Sequence, residues 1–188
     1  MTKVAVIVGS LKKTSLNRQF VLALAKLARP KLDLKIVEIG DLPFYSEDAE
    51  KELPAAVTRF KSEIESADAV LFVTPEYLRA IPGVLKNAIE WGARTYGKNS
   101  WGGKPGAVAG VTPGAIGTAV AQSQLRSIAP VLDIALISQP ELYLSLKTGQ
   151  IAENGDVADE TLKALLTTFV DRFSAWIARL EQKPALQF

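Results

Sequence analysis

Short apolar runs recur along the chain, and most are followed by a polar loop and a segment of helical periodicity. Val4 to Val8 is a β-branched run ending at Gly9-Ser10, the profile of a strand covered on both faces, as parallel strands are. Beyond it, Phe20, Ala23, Leu24, Leu27 and Ala28 fall on one helical face, with Ser15 placed to cap that helix and Pro30 to close it. Leu32 to Ile39 alternates apolar and polar residues and predicts a strand on the edge side of a sheet. An acidic loop, Asp41 to Pro54, leads into a helix from Ala55 to Ser66 and then the apolar run Ala69 to Val73. Pro75 removes a backbone donor where that strand ends, and Pro82-Gly83 marks the start of a helix reaching Trp91.

In the second half, Tyr96 to Gly106 is rich in Gly and Lys and predicts an exposed loop. Ala107 to Val111 predicts the fourth strand, Thr112 to Gly117 leads into a helix ending near Ala129, and Val131 to Ile137 predicts the fifth strand. Gln139 to Asp156 reads as irregular, with a hairpin turn at Asn154-Gly155. The last helix carries Leu162, Leu165, Leu166, Phe169, Phe173, Trp176, Ile177 and Leu180 on one face. Strands alternating with helices predict an α/β fold with a parallel sheet covered on both sides. At 188 residues the chain suits one domain, 1–188.

Composition narrows the chemistry. Net charge is +2 and no basic stripe is interleaved with aromatics, which argues against nucleic acid as a partner. Histidine and cysteine are both absent. That excludes disulfides, thiolate nucleophiles, Ser-His-Asp triads and the common zinc or iron ligand sets, so no metal ligand is assigned. No apolar run approaches the roughly 20 residues of a membrane-spanning helix. The N-terminus runs straight into a strand without a leader pattern, so cytoplasm is the expected location.

The loop after the first strand offers hydroxyls at Ser10, Thr14 and Ser15, an amide at Asn17 and cations at Lys12 and Lys13. Such a set at a helix start suits a phosphate; it also suits an ordinary N-cap after a solvated loop. Gly9-Ser10-Leu11 breaks the dinucleotide fingerprint at its second glycine, and Gly97 to Lys104 misses the P-loop spacing and runs into Pro105. A receiver domain would want acidic residues where Gly9-Ser10 stand. In a sheet ordered 2-1-3-4-5, the switch point lies between strands one and three. The first loop and Thr74 to Ile81 would then meet one ligand, a phosphate on one side and a flat ring on the other.

Several motifs occur in order: Gly9-Ser10-Leu11-Lys12-x-x-Ser15-x-Asn17, Thr74-Pro75-Glu76-Tyr77, and Ile81-Pro82-Gly83 through Trp91. Gly103-Lys104-Pro105 and Pro113-Gly114-Ala115-Ile116-Gly117 complete them. Together they make the chain resemble the NAD(P)H-dependent FMN reductases, the flavodoxin-like group containing bacterial quinone, chromate and ferric reductases. The resemblance implies a flavodoxin-like three-layer sandwich with a five-stranded parallel sheet, order 2-1-3-4-5. It implies that Ser10, Lys12, Ser15, Leu16 and Asn17 hold the FMN phosphate end. Pro75, Glu76, Tyr77, Leu78 and Arg79 would line the ring, with Thr112, Gly114 and Gly117 closing its other side. It further implies NADPH or NADH as reductant, a small-molecule electron acceptor, ping-pong hydride transfer, and a homodimer or homotetramer.

With the cofactor carrying the chemistry, no side chain is assigned as catalytic. Glu76 also reads as a solvated turn carboxylate, and Tyr77 as a residue packed between subunits. Trp91 and Trp101 read as packing residues, and Lys86 and Asn87 as helix-stabilising ones. Leu78 and Ala80 replace the Asn and Ser usual in the family, and Val120 and Gln124 stand where some members carry Arg and His. The first pair bears on flavin affinity, the second on any subunit bridge. The alternatives are an FMN-carrying electron-transfer or redox-sensing module without NAD(P)H turnover, and a relative that has lost flavin through Leu78 and Ala80.

Overall fold

The computed structural model describes residues 1–181; the remainder of the 1–188 domain lies outside the described residues. Strands β1 (Thr2–Val8), β2 (Leu32–Val37), β3 (Ala69–Val73), β4 (Pro105–Thr112), β5 (Ala135–Leu136) and β6 (Leu142–Ser145) form one sheet. The helices are α1 (Leu16–Ala28), α2 (Ala55–Glu65), α3 (Gly83–Ala93), α4 (Ala119–Ile128) and α5 (Glu160–Glu181). Strand order is β2-β1-β3-β4-β5, with β6 also on β4, and every ladder is parallel. The predicted order and the edge position of β2 both hold.

Side-chain alternation divides the core into two layers. Val4, Val6 and Val8 of β1, with Leu71 and Val73 of β3, pack with Phe20 and Leu24 of α1 and with Leu166, Phe169 and Phe173 of α5. Ala5, Ile7, Val70 and Phe72 point the other way, onto Phe60 and Ile64 of α2 and Leu85 and Trp91 of α3. Both faces are apolar, which is why the strands read as continuous hydrophobic runs.

Four expectations are corrected. Val131 to Ile137 is not one strand: Ala129–Leu132 is a 3-10 turn, Asp133 is left-handed at φ 57°, and only Ala135–Leu136 extends. The fifth sheet position is shared. β5 pairs with Pro105 and Gly106, and β6 pairs with Ala109 to Thr112 on the same edge of β4. Pro140, between them, has no N–H for a ladder. Gln139 to Asp156 therefore contains a strand, although its turn at Asn154-Gly155 holds: Ile151 bridges Val157, and Gly155 has φ 87°.

Nor is Tyr96 to Gly106 wholly exposed. Ser100 and Trp101 are buried, and the Trp101 ring packs edge-on to Phe60 and beside Phe72. The buried Lys61 ammonium donates to the carbonyls of Gly92 (3.2 Å), Arg94 (2.5 Å) and Lys98 (2.8 Å), tying this loop to α2. Burial pushes its pKa below the ordinary lysine value. Lys86 pairs with Glu90 one turn along α3, as expected. Asn87, by contrast, leaves its helix to grip the acidic loop. It donates to the Pro43 carbonyl (2.9 Å) and accepts from the Tyr45 amide (2.8 Å).

Gly92 is where α3 meets Trp101: a Cβ there would lie 2.3 Å from the indole. Gly92→Ala is expected to destabilise the chain by about 1–3 kcal/mol through overpacking, read as a lower urea midpoint with an unchanged slope.

Candidate functional site

The parallel β1–β3 ladder sets Val8 beside Val73, and the Gly9 amide donates to the Val73 carbonyl at 2.9 Å. The loops leaving these strands therefore start side by side. Two hollows of about 460 and 660 Å³ sit above them and share Glu76 and Thr112, so they form one cleft. The smaller is lined by Ser10, Lys12, Ser15, Leu16, Asn17, Pro75 and Tyr77, among others. The larger is lined by Leu78, Arg79, Gly114, Ala115, Ile116 and Thr118 besides the shared pair. Lys13, the second cation of the first loop, lies outside the lining, and so, of the residues assigned to the cofactor, does Gly117. Gly117 has φ 62°, and a Cβ on it would meet the Tyr143 carbonyl at 2.5 Å, so it seats the β4–α4 loop directly on β6.

The α1 end of the cleft is the start of a helix. Ser15 caps α1, its hydroxyl accepting from the Arg18 amide at 3.3 Å. Among the described residues, the backbone amides from Ser10 to Asn17 have no protein acceptor. Ser10, Lys12, Thr14, Ser15, Leu16 and Asn17 of this stretch line the hollow. The Asn17 carboxamide is already committed. It donates to the Val111 carbonyl (3.0 Å) and accepts from the Val111 amide (3.1 Å). β3 stops pairing with β4 at Ala109, and Asn17 continues the ladder one register further on. What Asn17 offers the cleft is its own amide, in the first turn of the helix.

The opposite end is a tight turn. Tyr77 and Ala80 exchange both backbone hydrogen bonds at 3.0 Å, and Leu78 and Arg79 between them have φ 52° and 64°. Two successive left-handed residues make a type I′ turn, which normally wants Asn-Gly. Leu78 is fully exposed at the lip and does not plug the cleft. Glu76 is not a solvated turn carboxylate: its side chain is 8% exposed, and it accepts from the Val120 (3.0 Å) and Ala121 (3.2 Å) amides.

Thr148 and Glu153 also line the α1 end, and sequence reasoning missed them. They come from the segment after β6 that read as irregular, and only the pairing of β6 with β4 brings them to the cleft. Ala115, Ile116 and Thr118 follow from loop continuity with Gly114.

Leu78 carries left-handed strain with no burial to offset it. Leu78→Asn is expected to raise stability by about 1 kcal/mol, which for a chain of this size moves the thermal midpoint up by about 2–4 °C. Scanning calorimetry of the two proteins checks it. Asn17→Ala strands both Val111 groups in a buried position and is expected to cost about 1–3 kcal/mol per unpaired group in chemical denaturation.

Comparison with known proteins bears on this cleft. Residues 2–149 match the family model described as NADPH-dependent FMN reductase. The chain is 47% identical to a 2-hydroxy-1,4-benzoquinone reductase from a Burkholderia species, over 93% of this chain and 96% of that one. It is 50% identical to a quinone reductase from Pseudomonas putida, over 93% and 94% of the two chains. Among solved structures, the flavoenzyme NAD(P)H:(acceptor) oxidoreductase FerB from Paracoccus denitrificans superposes with a TM-score of 0.92. The identity there is 45%, covering 95% of this chain and 98% of that one. No helix among the described residues is long and apolar enough to cross a membrane. The chain belongs to the NADPH-dependent FMN reductase family.

Proposed function

We propose that the chain binds FMN in this cleft and uses NADPH or NADH to reduce quinones or similar small acceptors. The observation that carries the reading is one cleft with two unlike ends. At the α1 end, unpaired amides, the Ser10 and Thr14 hydroxyls and Lys12 suit a monophosphate. At the other, the Tyr77–Ala80 turn and the Thr112–Ile116 loop leave an open slot of about 660 Å³ for a flat ring. Bound FMN would supply the hydride chemistry, accepting from the nicotinamide and passing electrons to the acceptor in two half-reactions. The chain's own part is to anchor, orient and leave one ring face open. That part needs no acid or base, in keeping with a chain that lacks histidine and cysteine.

A homodimer or homotetramer fits the same reading. Phe44 is 89% exposed, yet it is held between Pro43 and Tyr45, both bonded to Asn87. Tyr96 and Val131 are exposed to a similar extent. Apolar side chains displayed in this way suit burial against a second copy.

Mixing the purified protein with FMN and NADPH under air is expected to give a yellow complex and steady loss of nicotinamide absorbance. A protein that takes up no FMN and leaves NADPH untouched sinks the proposal. Lys12→Ala is expected to weaken FMN binding by about tenfold or more while leaving riboflavin, which lacks the phosphate, unaffected. Fluorescence titration of both flavins makes the comparison.

A further inference from the structure

Helix α4 begins without a cap of its own. Thr118, at its N-cap position, is left-handed at φ 66° and makes no capping hydrogen bond. Four amides at such a terminus need acceptors, and an anion is the best one available. The acceptor comes from another loop, 44 residues away in sequence: one Glu76 oxygen takes the Val120 and Ala121 amides, and the other takes the Arg79 guanidinium at 3.3 Å. The tie is returned from α4. The Gln124 carboxamide accepts from the Ile81 amide at 3.0 Å and donates to the Arg79 carbonyl at 3.3 Å. The strained turn is therefore bracketed, with Glu76 before it reaching into α4 and Gln124 of α4 reaching back behind it.

We infer that Glu76 and Gln124 are positioning residues, a reciprocal clamp that fixes the Tyr77–Ala80 turn against α4 and holds the ring end of the cleft open before a ligand arrives. Glu76 acts through backbone and not as a ligand contact. Its second effect is on orientation. Two helix N-termini face the cleft, and Glu76 fills that of α4, which leaves α1 as the end with unpaired amides for a phosphate. Gln124 takes an intrachain role at a position that otherwise invites a subunit bridge. The clamp itself stands on the geometry. That it positions a flavin ring rests on the proposed function.

The test compares Glu76→Ala, Glu76→Gln and Gln124→Ala in the full chain by amide hydrogen exchange without ligand and by FMN titration. Glu76→Ala is expected to speed exchange at Val120 and Ala121 by about tenfold or more, and Gln124→Ala to do so at Ile81. Each is expected to weaken FMN binding by about tenfold. Glu76→Gln keeps a carbonyl oxygen for the α4 amides and is expected to restore protection and to bring FMN affinity within about threefold of the parent. Two results overturn the inference. One is unchanged exchange in Glu76→Ala. The other is a Glu76→Gln protein whose amides stay protected but whose FMN affinity falls as far as that of Glu76→Ala, because the charge would then act on the ring directly. If the parent protein itself binds no FMN, the flavin reading fails, and the exchange data alone decide whether the clamp exists.

Discussion

The pairing of β1 with β3 is the constraint from which the site follows. Two strands separated by a helix, a strand and a further helix lie in register, Val4 beside Ala69 through to Val8 beside Val73. The chain moves outward to β2 and then returns past β1, so the loops leaving β1 and β3 diverge from adjacent points. A crevice forms there because no crossover covers it. The ladder is held by burial on both faces rather than by any one contact. Val6 and Leu71 face one core layer, and Ile7 and Phe72 the other. A slip of one residue would exchange the layers.

Within the crevice, the two helix N-termini are treated differently. The cap of α1 is local, Ser15 to Arg18, and among the described residues the amides before it have no protein acceptor. The cap of α4 is remote and comes from Glu76. Asn17 and Glu76 are thus alike in kind. Each is a polar side chain at the cleft whose hydrogen bonds join two elements, Asn17 the start of α1 to β4 and Glu76 the loop after β3 to α4. Polar residues at a site often read as ligand contacts, but here two of them are bonded to the chain's own backbone. That also bears on Leu78 and Ala80. The turn keeps its two reciprocal hydrogen bonds with Leu78 at a left-handed position that leucine does not favour.

The element boundaries show where sequence reading stops. Runs such as Val4 to Val8 and Ala69 to Val73 were legible because burial on both faces leaves an unbroken apolar signature. The fifth sheet position was not. Ala135–Leu136 and Leu142–Ser145 are each too short to carry a pattern, and they act as one strand only because β4 templates both. Trp101 sat in a stretch whose Gly and Lys content suggested solvent, yet Gly92 leaves it a slot between α2 and α3. No local signal marks a glycine that exists to admit a tryptophan from nine residues away.

The sequence by itself determined the class of fold, the strand order through the family resemblance, and many of the residues lining the cleft. Hydrophobic period and turn chemistry are local properties, and motif order fixes which loops follow which strands. Tertiary structure alone decided what the polar groups do there: Asn17 on Val111, Asn87 on the acidic loop, Glu76 on α4, and Thr148 with Glu153 brought in behind β6. A hydrogen-bonding side chain has several partners open to it, and the choice depends on which backbone groups the packed core leaves unpaired within about 3 Å.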